Sequence, residues 1–185
     1  MLSGRRARGM RVFKILLVGD GGVGKSTLVD AYRYGRFFEH EITIGLRLAT
    51  CVVEGEQGQK CKFMIYDFSG QPRFVRMLYN LPKLMSKAHG ALLAFDLSSL
   101  MTLTTLIDWA KLIREVVGEI PMVLVGTKAD LEHEVREADI RDFMEMLGLD
   151  TYVETSAKLM KDVDKPFKEL LRKIKERFEQ QVPGG

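Results

Sequence analysis

The stretch Val12–Thr27, VFKILLVGDGGVGKST, constrains this chain more than any other. Phe13 to Val18 is apolar apart from Lys14 and reads as a strand buried on both faces. It runs into GDGGVGKS, Gly19 to Ser26, which fits G-x-x-x-x-G-K-[ST] at every fixed position. A helix-compatible segment, Leu28 to Tyr34, follows, so strand, glycine loop and helix come in the order a phosphate-binding loop requires. A polyphosphate needs several N–H donors converging on one point, and only a backbone with little Cβ obstruction wraps it closely. Gly19, Gly21, Gly22 and Gly24 permit that wrap, and the helix N-terminus behind them adds its partial positive charge. Lys25 is expected to neutralise the β- and γ-phosphates, and the Ser26 hydroxyl to ligate Mg²⁺. The bland reading is a glycine-rich turn that binds nothing. The lysine, the hydroxyl and the flanking elements argue against it.

Downstream, the polar and aromatic run Arg36 to Thr43 lacks periodicity and reads as an irregular loop. Leu46 to Val53 and Lys62 to Tyr66 read as strands, and EGEQGQ between them as a hairpin connection. Ala91 to Phe95 and Met122 to Val125 are short apolar runs of the kind found in interior parallel strands. Helical spacing marks Leu103 to Val117, then Ile140 to Leu147 closed by Gly148, then Val163 to Phe178 with Pro166 in its first turn. Trp109 and the helix methionines read as packing. Strands alternating with helices predict an α/β three-layer sandwich: a six-stranded, mostly parallel sheet with one antiparallel edge strand and helices on both faces. In such a sheet chemistry falls just after the strands.

Four further candidates obey that rule. Asp67, in DFSGQ, is placed to hold Mg²⁺ as a Walker-B aspartate does. Gly70 can bring its N–H to a terminal phosphate, and Gln71 can orient a water for in-line attack. In Thr127-Lys128-Ala129-Asp130, the Asp130 carboxylate can accept from guanine N1–H and the 2-amine, both of which adenine lacks. Ser156-Ala157-Lys158 offers backbone N–H groups for the guanine O6. Thr43 is a second candidate hydroxyl for Mg²⁺. Singly each is weak: D-x-x-G is usually a turn, TKAD a helix cap, and Thr43 a residue capping a strand.

Composition sets outer bounds. The 185 residues suit one domain, with a basic arm over 1–10, a main body over 11–180 and a short end over 181–185. Net charge of +3, part of it from Arg5, Arg6, Arg8 and Arg11, is too mild to argue for nucleic acid. No run is long enough to span a membrane, the N-terminus has no signal-peptide core, and Leu2 excludes myristoylation. EQQVPGG offers no cysteine for prenylation, so no membrane anchor is expected within this chain. Cys51 and Cys61 are expected to be reduced core thiols.

GDGGVGKS, ITIG, DFSGQ, TKAD and ETSAK occur in the order and rough spacing of the Ras-superfamily small GTPases, which the chain resembles from about Arg11 to its last helix. TIG and ETSAK look most like the Rab branch, while Thr127 in place of asparagine is seen in Rho-like members. The resemblance implies GTP and GDP as ligands with Mg²⁺ as cofactor. It implies a phosphate set of Gly21, Gly22, Val23, Gly24, Lys25, Ser26, Thr27, Thr43 and Gly70, and Mg²⁺ held through Ser26, Thr43 and Asp67. The implied base set is Phe37 edge-on to guanine, Thr127, Lys128 packed along the ring, Asp130, Ser156, Ala157 and Lys158. Catalysis would fall to Gln71, Lys25 and Gly70. Switch I, around 36–45, and switch II, around 67–87, would report the nucleotide to effectors, with an exchange factor and a GTPase-activating protein as regulators. A monomer is expected, in the cytoplasm, peripheral to membranes if a lipidated tail exists.

Three departures stand out. The loop from Ser26 to Thr43 is one residue short of the family pattern and lacks the tyrosine many relatives place over the γ-phosphate. The span Gln71 to His89 is a few residues long, and Pro72 follows the catalytic candidate. Proline pushes the preceding residue out of the αR region, which either presets Gln71 for water or holds it away. Two functions follow: a switch that hydrolyses GTP slowly, or a nucleotide-bound scaffold with negligible hydrolysis. An ATPase is disfavoured by Asp130.

Overall fold

The computed structural model describes residues 9–78 and 82–180. The expected basic arm, except Gly9 and Met10, and the end 181–185 lie outside the described residues, as do 79–81 of the expected switch II. Six strands form one sheet: β1 Arg11–Val18, β2 Leu46–Glu54, β3 Lys60–Phe68, β4 Gly90–Asp96, β5 Met122–Thr127 and β6 Tyr152–Glu154. Their order is β2-β3-β1-β4-β5-β6. Every pairing is parallel except β2 with β3, which puts the one antiparallel strand at an edge, as the hairpin reading requires.

The helices are α1 Lys25–Tyr34, α2 Pro72–Leu78, α3 Leu100–Thr104, α4 Leu106–Val117, α5 Glu137–Leu147 and α6 Lys165–Gln180, with a 3₁₀ turn at Pro82–Leu84. Alternation along β1 sends Phe13, Ile15 and Leu17 to one face of the sheet and Leu16 and Val18 to the other. The first face packs under α1 and α6 through Leu28, Phe167, Leu170 and Ile174. The second lies under α2 to α5 through Leu78, Leu106, Trp109, Ile113 and Phe143. Two apolar layers thus clamp the sheet, and the fold is the expected three-layer sandwich.

The helical pattern from Leu103 to Val117 is divided at Thr105 into α3 and α4. Thr102 donates its hydroxyl to Ser99 O, Thr104 to Met101 O and Thr105 to Thr102 O. Hydroxyls that bond carbonyls three residues back compete with the helix ladder, and they cluster at this division. α5 stops at Gly148, as the pattern predicts. Cys51 and Cys61 are buried and free. The register puts Cys51 opposite Phe63 and Cys61 opposite Val53, so the two never face each other. Burial pushes the Cys51 thiol up to about 12, making it an inert core group.

Candidate functional site

The strand-to-helix turn after β1 sits at the carboxyl end of the sheet. Gly19 has φ of +140°, and a Cβ there would lie 2.1 Å from Ala94 O on β4, so only glycine permits the chain to leave the strand so close to its neighbour. Gly24 precedes α1 in the left-handed region with no side-chain cap, which leaves first-turn N–H groups of α1 for a ligand. The Lys25 ammonium is buried beneath this loop and donates to Gly19 O at 2.9 Å and Asp20 O at 2.7 Å. Two of its three N–H bonds are used, and one remains for the cavity it lines. Burial lowers its pKa, opposed by the charges of Asp67 and Asp20. An ammonium kept dry and close to a wrapped main chain is built for a strongly anionic guest.

Behind the lysine, Ser26 joins α1 to β3 and to the loop before β2. Its hydroxyl donates to Asp67 Oδ2, and Thr43 Oγ1 lies 2.8 Å from Ser26 Oγ. With the serine proton given to Asp67, Thr43 is the donor of that second bond. Asp67 is fully buried, its Oδ1 has no hydrogen-bond partner, and burial raises its pKa. Two hydroxyls and a carboxylate with a free oxygen, linked in one chain from Thr43 through Ser26 to Asp67, are the oxygen donors a hard cation such as Mg²⁺ takes. The orphaned Oδ1 is the part of the arrangement that such an ion, or its water shell, would satisfy.

The base end is built from the loops after β5 and β6, tied together by Ala129 N–H to Thr155 O and Thr155 N–H to Gly126 O. Ser156 Oγ donates to Asp130 Oδ1 at 2.6 Å, which orients the carboxylate and leaves its second oxygen open. Lys128, at φ of +57°, is held by Asp96 Oδ2 at 2.6 Å, an ion pair that the sequence reading did not foresee. Thr127 is buried, and its hydroxyl lies 2.5 Å from Val23 O and 2.8 Å from Phe95 O. Its single proton therefore serves the phosphate loop and β4, and Thr127 acts by holding the two loops together.

Between these parts lies a cavity of about 480 Å³. Gly21, Gly22, Gly24, Lys25, Ser26, Thr27, Phe37, Thr43, Gly70, Thr127, Lys128, Asp130, Ala157 and Lys158 all line it, drawn from five separate stretches of sequence. Four candidates do not. Val23 is buried with its carbonyl on Thr127, Asp67 stands behind Ser26, and Ser156 acts through Asp130. Gln71 is exposed just before α2, its N–H 3.3 Å from Ser69 Oγ. Gly70 packs so tightly that a Cβ would lie 2.2 Å from Gly21 N. The wall also includes Glu39, His40, Glu41 and Leu131, which no motif marked.

A sheet of this order with a lysine-floored glycine loop at its carboxyl end defines a P-loop nucleotide-binding protein. The sequence matches the Ras family model over residues 14–176. It is 34% identical to Ras-related protein YPTC6 of Chlamydomonas reinhardtii, across 88% of this chain and 75% of that one. Ras-related protein RABA2a of Arabidopsis thaliana shows the same identity and coverage. Ras-related protein Rab-11A of Dictyostelium discoideum is 34% identical, across 88% of this chain and 76% of that protein. The chain belongs to the Ras family, and with it to the GTP-binding hydrolases. The Rab-related names agree with the Rab-like look of TIG and ETSAK.

Proposed function

We propose that this protein is a switch that binds GTP with Mg²⁺, hydrolyses it slowly and reports the difference through residues 36–45 and 67–87. One observation carries the reading: a single cavity gathers the phosphate loop, Thr43, Gly70 and the Asp130 carboxylate. The triphosphate would lie along residues 21–27 with the third Lys25 N–H on the β- and γ-oxygens. The guanine would lie between Phe37 and the Lys128 stem, its N1–H and 2-amine on Asp130. Ser26, Thr43 and Asp67 would hold Mg²⁺, which when bound offsets charge on the phosphate oxygens. The Gly70 N–H would meet the γ-phosphate, and Gln71 would turn in to place the attacking water. The chemistry needs positioning and charge stabilisation more than covalent help, so unaided turnover is slow. Ras and heterotrimeric Gα proteins manage roughly 10⁻⁴ to 10⁻² per second alone.

Effectors reading the two switches, an exchange factor and an activating protein are the partners this function needs, and attachment at a membrane surface suits its Rab-related kin. The described residues include no helix long and apolar enough to cross a membrane. A second reading, a nucleotide-holding scaffold, draws on the position of Gln71 outside the cavity wall, ahead of a helix that begins at Pro72. Single-turnover phosphate release separates the two. The switch reading expects Gln71→Leu to slow release by about tenfold or more, the scale of removing a group that acts only in the transition state. A parent no faster than Gln71→Leu supports the scaffold.

A further inference from the structure

The loop 36–44 carries Thr43 to the metal site, yet among the described residues it makes no main-chain to main-chain hydrogen bond. Two polar side-chain ties hold it: Thr43 on Ser26, and His40 Nε2 at 2.8 Å from Asp30 Oδ2. Phe38 adds only aromatic contacts, to Tyr34 and His40, with Arg36 over its ring. Asp30 lies on α1 and is 4% exposed. A carboxylate that deep stays charged only with partners. It has three: Arg47 Nη2 at 2.7 Å from both oxygens, Arg33 Nη1 at 3.4 Å, and His40. They come from β2, from α1 itself and from the loop, so the carboxylate joins three segments.

Arg47 extends this link. It stands opposite Asp67 in the β2–β3 ladder, and directly opposite residues share a face. Its Nη1 is buried without a partner, and so is Asp67 Oδ1. The guanidinium binds the carboxylate of α1 through Nη2 and, among the described residues, stands across the ladder from Asp67 with no hydrogen bond to it.

Resting on the nucleotide reading above, we propose that Asp30 and Arg47 are positioning residues that couple the Mg²⁺ site to switch I. The chain Arg47, Asp30, His40 keeps 36–44 where Thr43 meets Ser26. Cutting it at His40, itself part of the cavity wall, frees Thr43, so retention of nucleotide falls most where the metal is present.

The test preloads the full chain with mant-GppNHp, a GTP analogue that is not hydrolysed, and follows its release in millimolar Mg²⁺ and in EDTA. His40→Ala and Asp30→Asn should speed release in Mg²⁺ by about tenfold, the effect of losing one charge-assisted hydrogen bond, and by clearly less in EDTA. His40→Lys, which keeps an N–H donor for Asp30 Oδ2, should release at the parent's rate. Parent-like release from His40→Ala in Mg²⁺, or equal acceleration with and without the metal, overturns the coupling. Digestion by a glutamate-specific protease, which cuts after exposed Glu39 and Glu41, reads the same tie without nucleotide. His40→Ala should be cut faster than the parent and His40→Lys should not; equal rates also overturn it. If the parent retains no mant-GppNHp, the nucleotide reading fails, and digestion still decides whether His40 holds the loop. Should Asp30→Asn misfold, the two His40 variants carry the test.

Discussion

Asp130 and Thr127 lie three residues apart and do different work. Asp130 lines the cavity with one oxygen bound by Ser156, and it is the group proposed to select the base. Asp130→Asn reverses one hydrogen-bond polarity and should move preference from GTP toward xanthosine triphosphate by on the order of 10⁴, read by competition binding. Thr127 spends its proton on main-chain carbonyls. Thr127→Val leaves Val23 O and Phe95 O short of a donor and should cost about 1–2 kcal/mol in urea unfolding, with base preference unchanged. Asp96 gives a pH test. Burial alone would raise its pKa, but bonds from Lys128 and Ser98 win and hold the carboxyl below its usual value. A depressed carboxylate stabilises the fold above its unfolded value and loses that contribution as pH falls through the folded one. Asp96→Asn should therefore flatten the acid limb of the stability curve below about pH 4, followed by circular dichroism. The motifs made Asp130 legible because base chemistry demands a carboxylate after a strand. Asp30 was not legible, since its partner Arg47 lies 17 residues away and a lone aspartate in LVDAY looks like a surface position.

Whole elements were easier to read where burial imposes a period. β1, β4, β5 and α6 follow their apolar patterns closely, because a sandwiched sheet and a one-sided helix leave few other solutions. Leu170 on α6 is fully buried against the sheet, and Leu170→Ala should cost about 2–5 kcal/mol by thermal or chemical unfolding. The α3–α4 division went unread because the apolar spacing runs straight through Thr105, while the hydroxyl-to-carbonyl bonds clustered there leave no mark on periodicity. Switch II was expected to depart from the family pattern through its length and Pro72, and α2 does begin at Pro72. Its contact with the phosphate loop needed coordinates to see. Gly70→Ala would press a methyl group onto the main chain of Asp20 and Gly21, at 2.2 Å from each. The loop or the switch must then move, at a cost of about 1–3 kcal/mol in the same unfolding assay.

At the scale of the molecule, function follows from where a doubly covered sheet leaves its strand ends. β1, β3, β5 and β6 each deliver one loop to the same cavity, and α1 presents its N-terminus there. The sequence order of the motifs was enough to foresee that convergence, because right-handed crossovers leave little choice of topology. The position of Gln71 was not, since a residue between a loop and a short helix has no neighbours in sequence that fix its side chain. The central claim is that this cavity takes a magnesium-bearing guanine nucleotide. Calorimetric titration of nucleotide-stripped, folded protein with GDP, GTP and ATP in the presence of Mg²⁺ addresses it directly. GDP and GTP should bind tightly and ATP weaker by on the order of 10⁴; equal affinity for ATP and GTP, or no binding of either guanine nucleotide, would contradict it.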